Sequence, residues 1–152
     1  MAATLSHLQN LTIALEQYRL DFHEYPPDAS MDARFDLGSE CLVYYLGSAF
    51  RTAPDVSNGG IKADRDAGPY FEFVAEDTSD VDGDGNKEFV DGWGTPYMYD
   101  NIRDDPAGYT DCGHPRFGPD PRGGRPWNVD SYDVWSQGEP GRAEPVRPRR
   151  GE

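Results

Sequence analysis

Residues 80–99 read DVDGDGNKEFVDGWGTPYMY. The first twelve are acids spaced by small residues, and the last eight lead through Gly and Pro into aromatics. With Asp80 as position 1, Asp82 is 3, Asp84 is 5, Gly85 is 6, Asn86 is 7, Glu88 is 9 and Asp91 is 12. This is the spacing of a calcium loop, with the glycine where the chain turns sharply. Ca2+ is hard and gathers oxygens. Asp80, Asp82 and Asp84 offer carboxylates, Asn86 its backbone carbonyl, and Glu88 a contact direct or through water. Asp91 stands where a bidentate Glu is usual and is one methylene shorter. Thr78-Ser79 before the loop and Gly92-Trp93-Gly94 after it are poor helix formers. The loop therefore reads as a rigid brace, not a helix-pair sensor. A solvated Asp/Gly-rich turn is the alternative reading. Mg2+ suits the loop less, because it keeps its waters and a strict octahedron.

Outward from this stretch, residues 96–99 (P-Y-M-Y) predict a strand, with Pro96 at its permitted first position. Residues 132–136 (Y-D-V-W-S) predict another, and 70–74 (Y-F-E-F-V) a third, with a helical turn as the alternative there. Towards the N-terminus, Leu5, Leu8, Leu11, Leu15, Tyr18 and Phe22 form one helical stripe, which Ile13 and Leu20 widen. A helix is predicted from about Ala2 to Phe22, halted before Pro26-Pro27. Alone it would be marginal, so it needs a sheet across it. Its polar side lacks the basic residues of a membrane-surface helix. A second helix is predicted over 40–46, with Ser39 as N-cap, Glu40 in the first turn and Gly47 as stop. Residues 52–69 read as loop, with room for one short turn of helix. Residues 104–127 form a Gly/Pro/Arg-rich insertion that needs something to hold it. The order gives an α+β fold: a long N-terminal helix on a small antiparallel sheet, with long loops. Residues 1–141 make one domain, and 142–152 a disordered basic tail carrying Arg142, Arg147, Arg149 and Arg150.

The chain carries 28 acidic against 14 basic residues, a net charge of −14, which repels a phosphate backbone and argues against a nucleic-acid partner. Seven of the acids lie within 76–91, so bound cations are one account of the imbalance and plain solubility the other. No apolar run is long enough to span a membrane. Cys41 and Cys112 allow one disulfide, which would contribute roughly 4 kcal/mol by loop closure; two thiols are the alternative. His7, His23 and His114 lack zinc spacing. No nucleophile elbow or phosphate loop occurs, and the carboxylates concentrate in the metal loop, so an enzyme and a small-molecule substrate are not expected. Trp93, Tyr97, Tyr99, Trp127, Tyr132 and Trp135 gather around the strands. Buried, they supply the core; exposed, they would stack on sugar rings.

Three segments carry a family resemblance. The helix LxxLxxLxxxLxxYxxD and its Tyr-Pro-Pro exit resemble the C-terminal half of a pilin helix. DGWGTPYMY resembles the DPWGxPYxY of type II secretion major pseudopilins (G-type), with Gly92 in place of Pro. YDVWSQG resembles that family's closing strand and turn. The middle of the chain and 103–128 match little. The resemblance implies a pilin-like fold and a periplasmic filament subunit that assists protein export, assembling with like subunits and minor pseudopilins. It also implies an apolar N-terminal helix, missing here, that anchors the subunit to the inner membrane before assembly. A type IV pilin proper is a close variant, and a calcium-stabilised carbohydrate-binding or adhesion module is the alternative. The family binds calcium at its last turn, where Val134 and Ser136 correspond. This chain continues with Gln137, Gly138 and Glu139, without the family's Asp. Glu139 is the substitute there, or the 80–91 loop takes over the brace.

Overall fold

The computed structural model describes residues 2–29, 34–48, 50–51, 66–102, 121–122, 127–128, 131–138 and 145–148. Helix α1 spans Ala2–Phe22 and α2 spans Gly38–Leu46. Among the described residues six short strands follow: β1 (Phe50–Arg51), β2 (Asp66–Ala67), β3 (Thr78–Ser79), β4 (Glu88–Phe89), β5 (Met98–Asn101) and β6 (Tyr132–Trp135). They pair as three antiparallel two-stranded sheets, β1 with β2, β3 with β4 and β5 with β6. The mixture of helices and antiparallel pairs is α+β. An antiparallel bridge between Val90 and Pro96 links β4 to β5, and a second between Ser136 and Val146 extends β6. No helix among the described residues is long and apolar enough to cross a membrane.

The α1 stripe faces the core. Leu8, Leu11 and Leu15 are fully buried and Tyr18 nearly so, packed with Leu42, Leu46, Phe89, Tyr97 and Tyr99. Each such Leu is worth ~2–5 kcal/mol relative to Ala. Ile13 and Leu20 do not widen the stripe; they are 58% and 68% exposed. Two residues from Leu11 is about 200° around the helix, so Ile13 points away. The helix ends with His23 in the left-handed conformation at φ 67°, its amide donating to the Arg19 carbonyl at 2.7 Å. The Tyr-Pro-Pro exit is then gripped by β5. The Tyr99 hydroxyl donates to the Pro26 carbonyl at 2.6 Å, Asn101 Nδ2 donates to it at 3.0 Å, and the Asn101 amide donates to Asp28 at 2.8 Å.

Helix α2 begins two residues before the expected start, and Ser39 is not its N-cap. Leu37 holds that position without a side-chain cap bond, and Ser39 is buried within the first turn. The earlier start presses Gly38 against β5: a Cβ there would lie 2.4 Å from the Tyr99 carbonyl oxygen. Residues 70–74 form neither strand nor helical turn. The Tyr70 and Phe71 amides both donate to the Leu46 carbonyl, at 2.7 and 3.1 Å, so the segment hangs from the end of α2. Its Phe71 and Phe73 rings flank Phe89 at 5.3 and 5.0 Å.

The predicted strands near 96–99 and 132–136 are shifted slightly, to β5 and β6, in register Met98 with Trp135 and Asn101 with Tyr132. Tyr97, Tyr99 and Trp135 are core residues. Arg122, which falls within the predicted insertion, has a fully buried side chain and bonds Asp100 at 2.7 Å and Asp133 at 3.0 Å. Asp133 also accepts from the Trp127 and Asn128 amides at 2.8 and 3.0 Å. Cys41 is buried; Cys112 and His114 lie outside the described residues. The basic tail is not wholly detached. Val146 is 5% exposed and exchanges both backbone hydrogen bonds with Ser136 at 2.8 Å, and the Arg147 guanidinium lies 3.8 Å from the Trp127 ring centre.

Candidate metal centre

The acidic loop is the connection of a hairpin. Strands β3 and β4 pair Thr78 with Phe89 and Ser79 with Glu88, and 80–87 closes them. The turn is built by carboxylates on backbone amides. Asp80 accepts from the Gly85 amide at 2.9 Å and the Asp84 amide at 3.1 Å. Asp82 accepts from the Asp84 amide at 3.3 Å, and Asp84 from the Asn86 amide at 2.9 Å. Gly85 sits at φ +92°, the left-handed conformation the turn requires and L side chains avoid. The Gly85 amide, ahead of the others, holds the Asp80 carboxyl below its usual range.

Five carboxylates converge beside this loop. One oxygen each from Asp36, Glu40, Asp82, Asp84 and Glu88 lies within 4.8 Å of all the others, a group that could hold a metal ion. Asp82, Asp84 and Glu88 come from the hairpin. Glu40 comes from the first turn of α2, and Asp36 from just before it. At such separations a like-charge pair costs ~3 kcal/mol at an effective dielectric near 20, so five bare charges cannot coexist there. Burial, and then the neighbouring Asp36, push Glu40 up to about 10. Burial likewise pushes Glu88 up to about 7, against the lowering effect of the Val81 amide.

Their hydrogen bonding is incomplete in one direction only. Glu88 is fully buried; its Oε2 accepts from the Val81 amide at 2.9 Å, while Oε1 has no partner. Glu40 is 1% exposed and neither carboxylate oxygen has a partner. Asp82 Oδ2 is buried and unpartnered too. Buried polar atoms in folded proteins are nearly always satisfied. Glu40, Asp82 and Glu88 all belong to the five-carboxylate group, where a hard cation would satisfy such oxygens; the Ser39 hydroxyl is buried and unpartnered as well.

Of the six residues expected to bind the ion, the structure brings together Asp82, Asp84 and Glu88. Asp80 serves the turn amides. Asn86 donates from Nδ2 to the Arg34 carbonyl at 3.5 Å. Asp91, expected at position 12, lies outside the group. Its Oδ1 accepts from the Trp93 and Thr95 amides at 2.9 and 3.0 Å, and its Oδ2 from the Ser136 hydroxyl. Ser136 is fully buried, accepts at Oγ from the Gly138 amide at 3.0 Å, and gives its carbonyl to Val146. The WGTPY turn and the WSQG turn are thus tied through one carboxylate. A last-turn ion at Val134, Ser136 and Glu139 would find the Ser136 oxygens engaged; Glu139 is outside the described residues.

Sequence reasoning missed Asp36 and Glu40. Two signals existed. The acids stand four apart across a helix start, and the loop lacked its final glutamate. A groove of about 730 Å3 runs beside the centre, lined by Phe35, Tyr44, Phe71 and Phe73 with Glu40 and Lys87. Comparisons with protein families, curated proteins and solved structures found no match to this chain.

Proposed function

We propose that this chain is the globular part of a periplasmic pseudopilus subunit of the type II secretion kind, braced by Ca2+ at the acidic centre. The observation that carries the filament reading is the Asp91–Ser136 bond. It joins two of the three segments on which the resemblance rests, so that the WGTPY turn and the closing turn act as one structural unit. The packing of α1 residues against Phe89, Tyr97 and Tyr99 is in keeping with a pilin-like helix on a sheet. The role is mechanical: no nucleophile or general base is called for, and like subunits with minor pseudopilins are the partners. Anchoring to the inner membrane before assembly would fall to an apolar segment preceding these residues.

Calcium, rather than magnesium, follows from the donor set. Five carboxylates at one point can supply the six to eight oxygens that Ca2+ prefers, whereas Mg2+ keeps several waters. The brace is tested by melting the protein in calcium and in EGTA. A higher Tm in calcium is expected, and Asp82→Ala with Asp84→Ala should abolish the difference. Equal melting in the starting protein would sink the calcium assignment. The filament role is tested separately in the full-length product, by cysteine pairs placed on its surface. A ladder of cross-linked multimers in cells is expected, and monomer alone refutes it.

The aromatic groove beside the centre favours a second reading, a calcium-stabilised carbohydrate-binding or adhesion module. Saturable glycan binding, lost with Phe71→Ala, would establish that reading over the filament.

A further inference from the structure

We propose that Glu40 is the bidentate clamp of the calcium centre, so that the ion fastens α2 to the β3–β4 hairpin rather than closing the loop on itself. The inference rests on the calcium reading above and adds ligands that the loop does not contain. A twelve-residue calcium loop relies on a glutamate at its end, which closes over the ion with both oxygens. Here that position is Asp91, and all of its carboxylate is spent on the Trp93 and Thr95 amides and the Ser136 hydroxyl. The hairpin is therefore one clamp short.

Glu40 has what is missing. It is a glutamate, 1% exposed, both of its oxygens are without a hydrogen-bond partner, and one lies within 4.8 Å of a carboxylate oxygen of Asp82, Asp84 and Glu88. The loop carboxylates divide their oxygens in a complementary way. Asp82 gives Oδ1 to the Asp84 amide and leaves Oδ2; Glu88 gives Oε2 to the Val81 amide and leaves Oε1. Asp84 gives Oδ1 to the Asn86 amide. Two oxygens from Glu40 and one each from Asp36, Asp82, Asp84 and Glu88 make six, the lower bound of a calcium sphere. Asp36 is exposed and closes the solvent side.

The arrangement has a mechanical consequence. Strands β3 and β4 are two residues each, too short to hold a hairpin alone. The ion would bond that hairpin to the helix that also packs on β5 through Gly38. It would thereby fix one wall of the groove between Phe35 and Phe73 relative to the other.

The test is calorimetric titration of the 152-residue protein with Ca2+ and with Tb3+, for wild type, Glu40→Gln, Asp82→Asn and Asp91→Asn, alongside melting in calcium and in EGTA. Glu40→Gln should weaken binding by about tenfold or more, as loss of a charged bidentate ligand does. Asp91→Asn should bind both ions as wild type does. The melting curves carry a sign that a purely structural Glu40 would not give. In EGTA, Glu40→Gln should melt no lower than wild type, because an acid crowded by four others is gone; in calcium it should melt lower. Undiminished binding by Glu40→Gln, with Asp82→Asn impaired, overturns the clamp and leaves the calcium loop standing. Absence of binding to either ion by wild type removes both.

Discussion

Replacing Asp91 separates its two possible roles, ligand and bracket, by how the damage responds to calcium. The side chain is 5% exposed and accepts three hydrogen bonds, two from turn amides and one from a fully buried serine. A hydrogen bond to a charged group contributes roughly 1.5–3 kcal/mol, and a stranded buried donor costs its own desolvation. Trp93 and Thr95 are half-buried, so water can recover part of the loss at their amides; Ser136 cannot be reached. Asp91→Ala should therefore cost about 4 kcal/mol. At ~2–4 °C per kcal/mol for a chain of this size, Tm should fall by roughly 8–16 °C. Asp91→Asn keeps Oδ1 for both amides and asks the Ser136 hydroxyl to reverse and accept, which should cost only ~1–2 kcal/mol. The assay is thermal melting of all three proteins in saturating calcium and in excess EGTA. Both variants should lose the same stability in either buffer, retaining the calcium-induced shift of the wild type. A shift that vanishes in Asp91→Ala would place this carboxylate on the ion and refute the bracket.

Three more outcomes test the packing. Gly38→Ala should destabilise by more than ~1 kcal/mol in urea melts, reversing the usual gain of Gly→Ala in a helix, because its Cβ meets the Tyr99 carbonyl; a stabilised variant would refute the close approach. Arg122→Met should cost ~3–5 kcal/mol by leaving Asp100 and Asp133 buried without their cation, and a loss below ~1 kcal/mol would refute that role of Arg122. Burial, then the bond with Asp28, push Asp100 up to about 7 against the lowering effect of Arg122, so between its unfolded value and that pH the folded state binds the extra proton. Wild-type stability should accordingly fall, relative to Asp100→Asn, as pH rises from about 4 to about 7 and then level off; a pH-independent difference between the two would refute it.

What the sequence disclosed and what it withheld follow from the range of each interaction. The α1 stripe was legible because a 3.6-residue period repeats over 21 residues, and one buried face dictates it. Strands β5 and β6 were legible as runs of aromatic and β-branched residues beside turn signals. Strands β1 to β4 are two residues long, and a period of two cannot be read from two residues. The 70–74 run failed for the opposite reason. Its alternating aromatics look like a strand, but their rings serve Phe89 and their amides serve the end of α2, a fact of tertiary placement. The same division runs through the acidic cluster. Asp82, Asp84 and Glu88 were legible because one hairpin places them. Asp36 and Glu40 are brought in by the contact of α2 with β4. Asp91 satisfied two patterns at once, the twelfth loop position and the start of a tight turn, and spacing alone does not choose between them.

The choice between a proton-holding cluster and an ion site can be argued from within the fold, because it contains a control. Asp133 is 1% exposed, as buried as Glu40. Around Asp133 the chain provides a guanidinium at 3.0 Å, two backbone amides and the Asn128 side-chain amide at 2.9 Å. Around Glu40 it provides carboxylates: Asp36, Asp82, Asp84 and Glu88. Two buried acids in one small domain are thus treated in opposite ways. At Asp133 the chain surrounds the carboxylate with donors and a cation of its own. At Glu40 it brings four more acids from two separate elements. That arrangement raises the cost of folding unless positive charge arrives from solution. A proton on each of Glu40 and Glu88 would relieve part of the repulsion through bonds to Asp36 and Asp82, but it would leave one Glu40 oxygen without a donor. A divalent ion relieves both at once, and it bonds the hairpin to the helix in doing so.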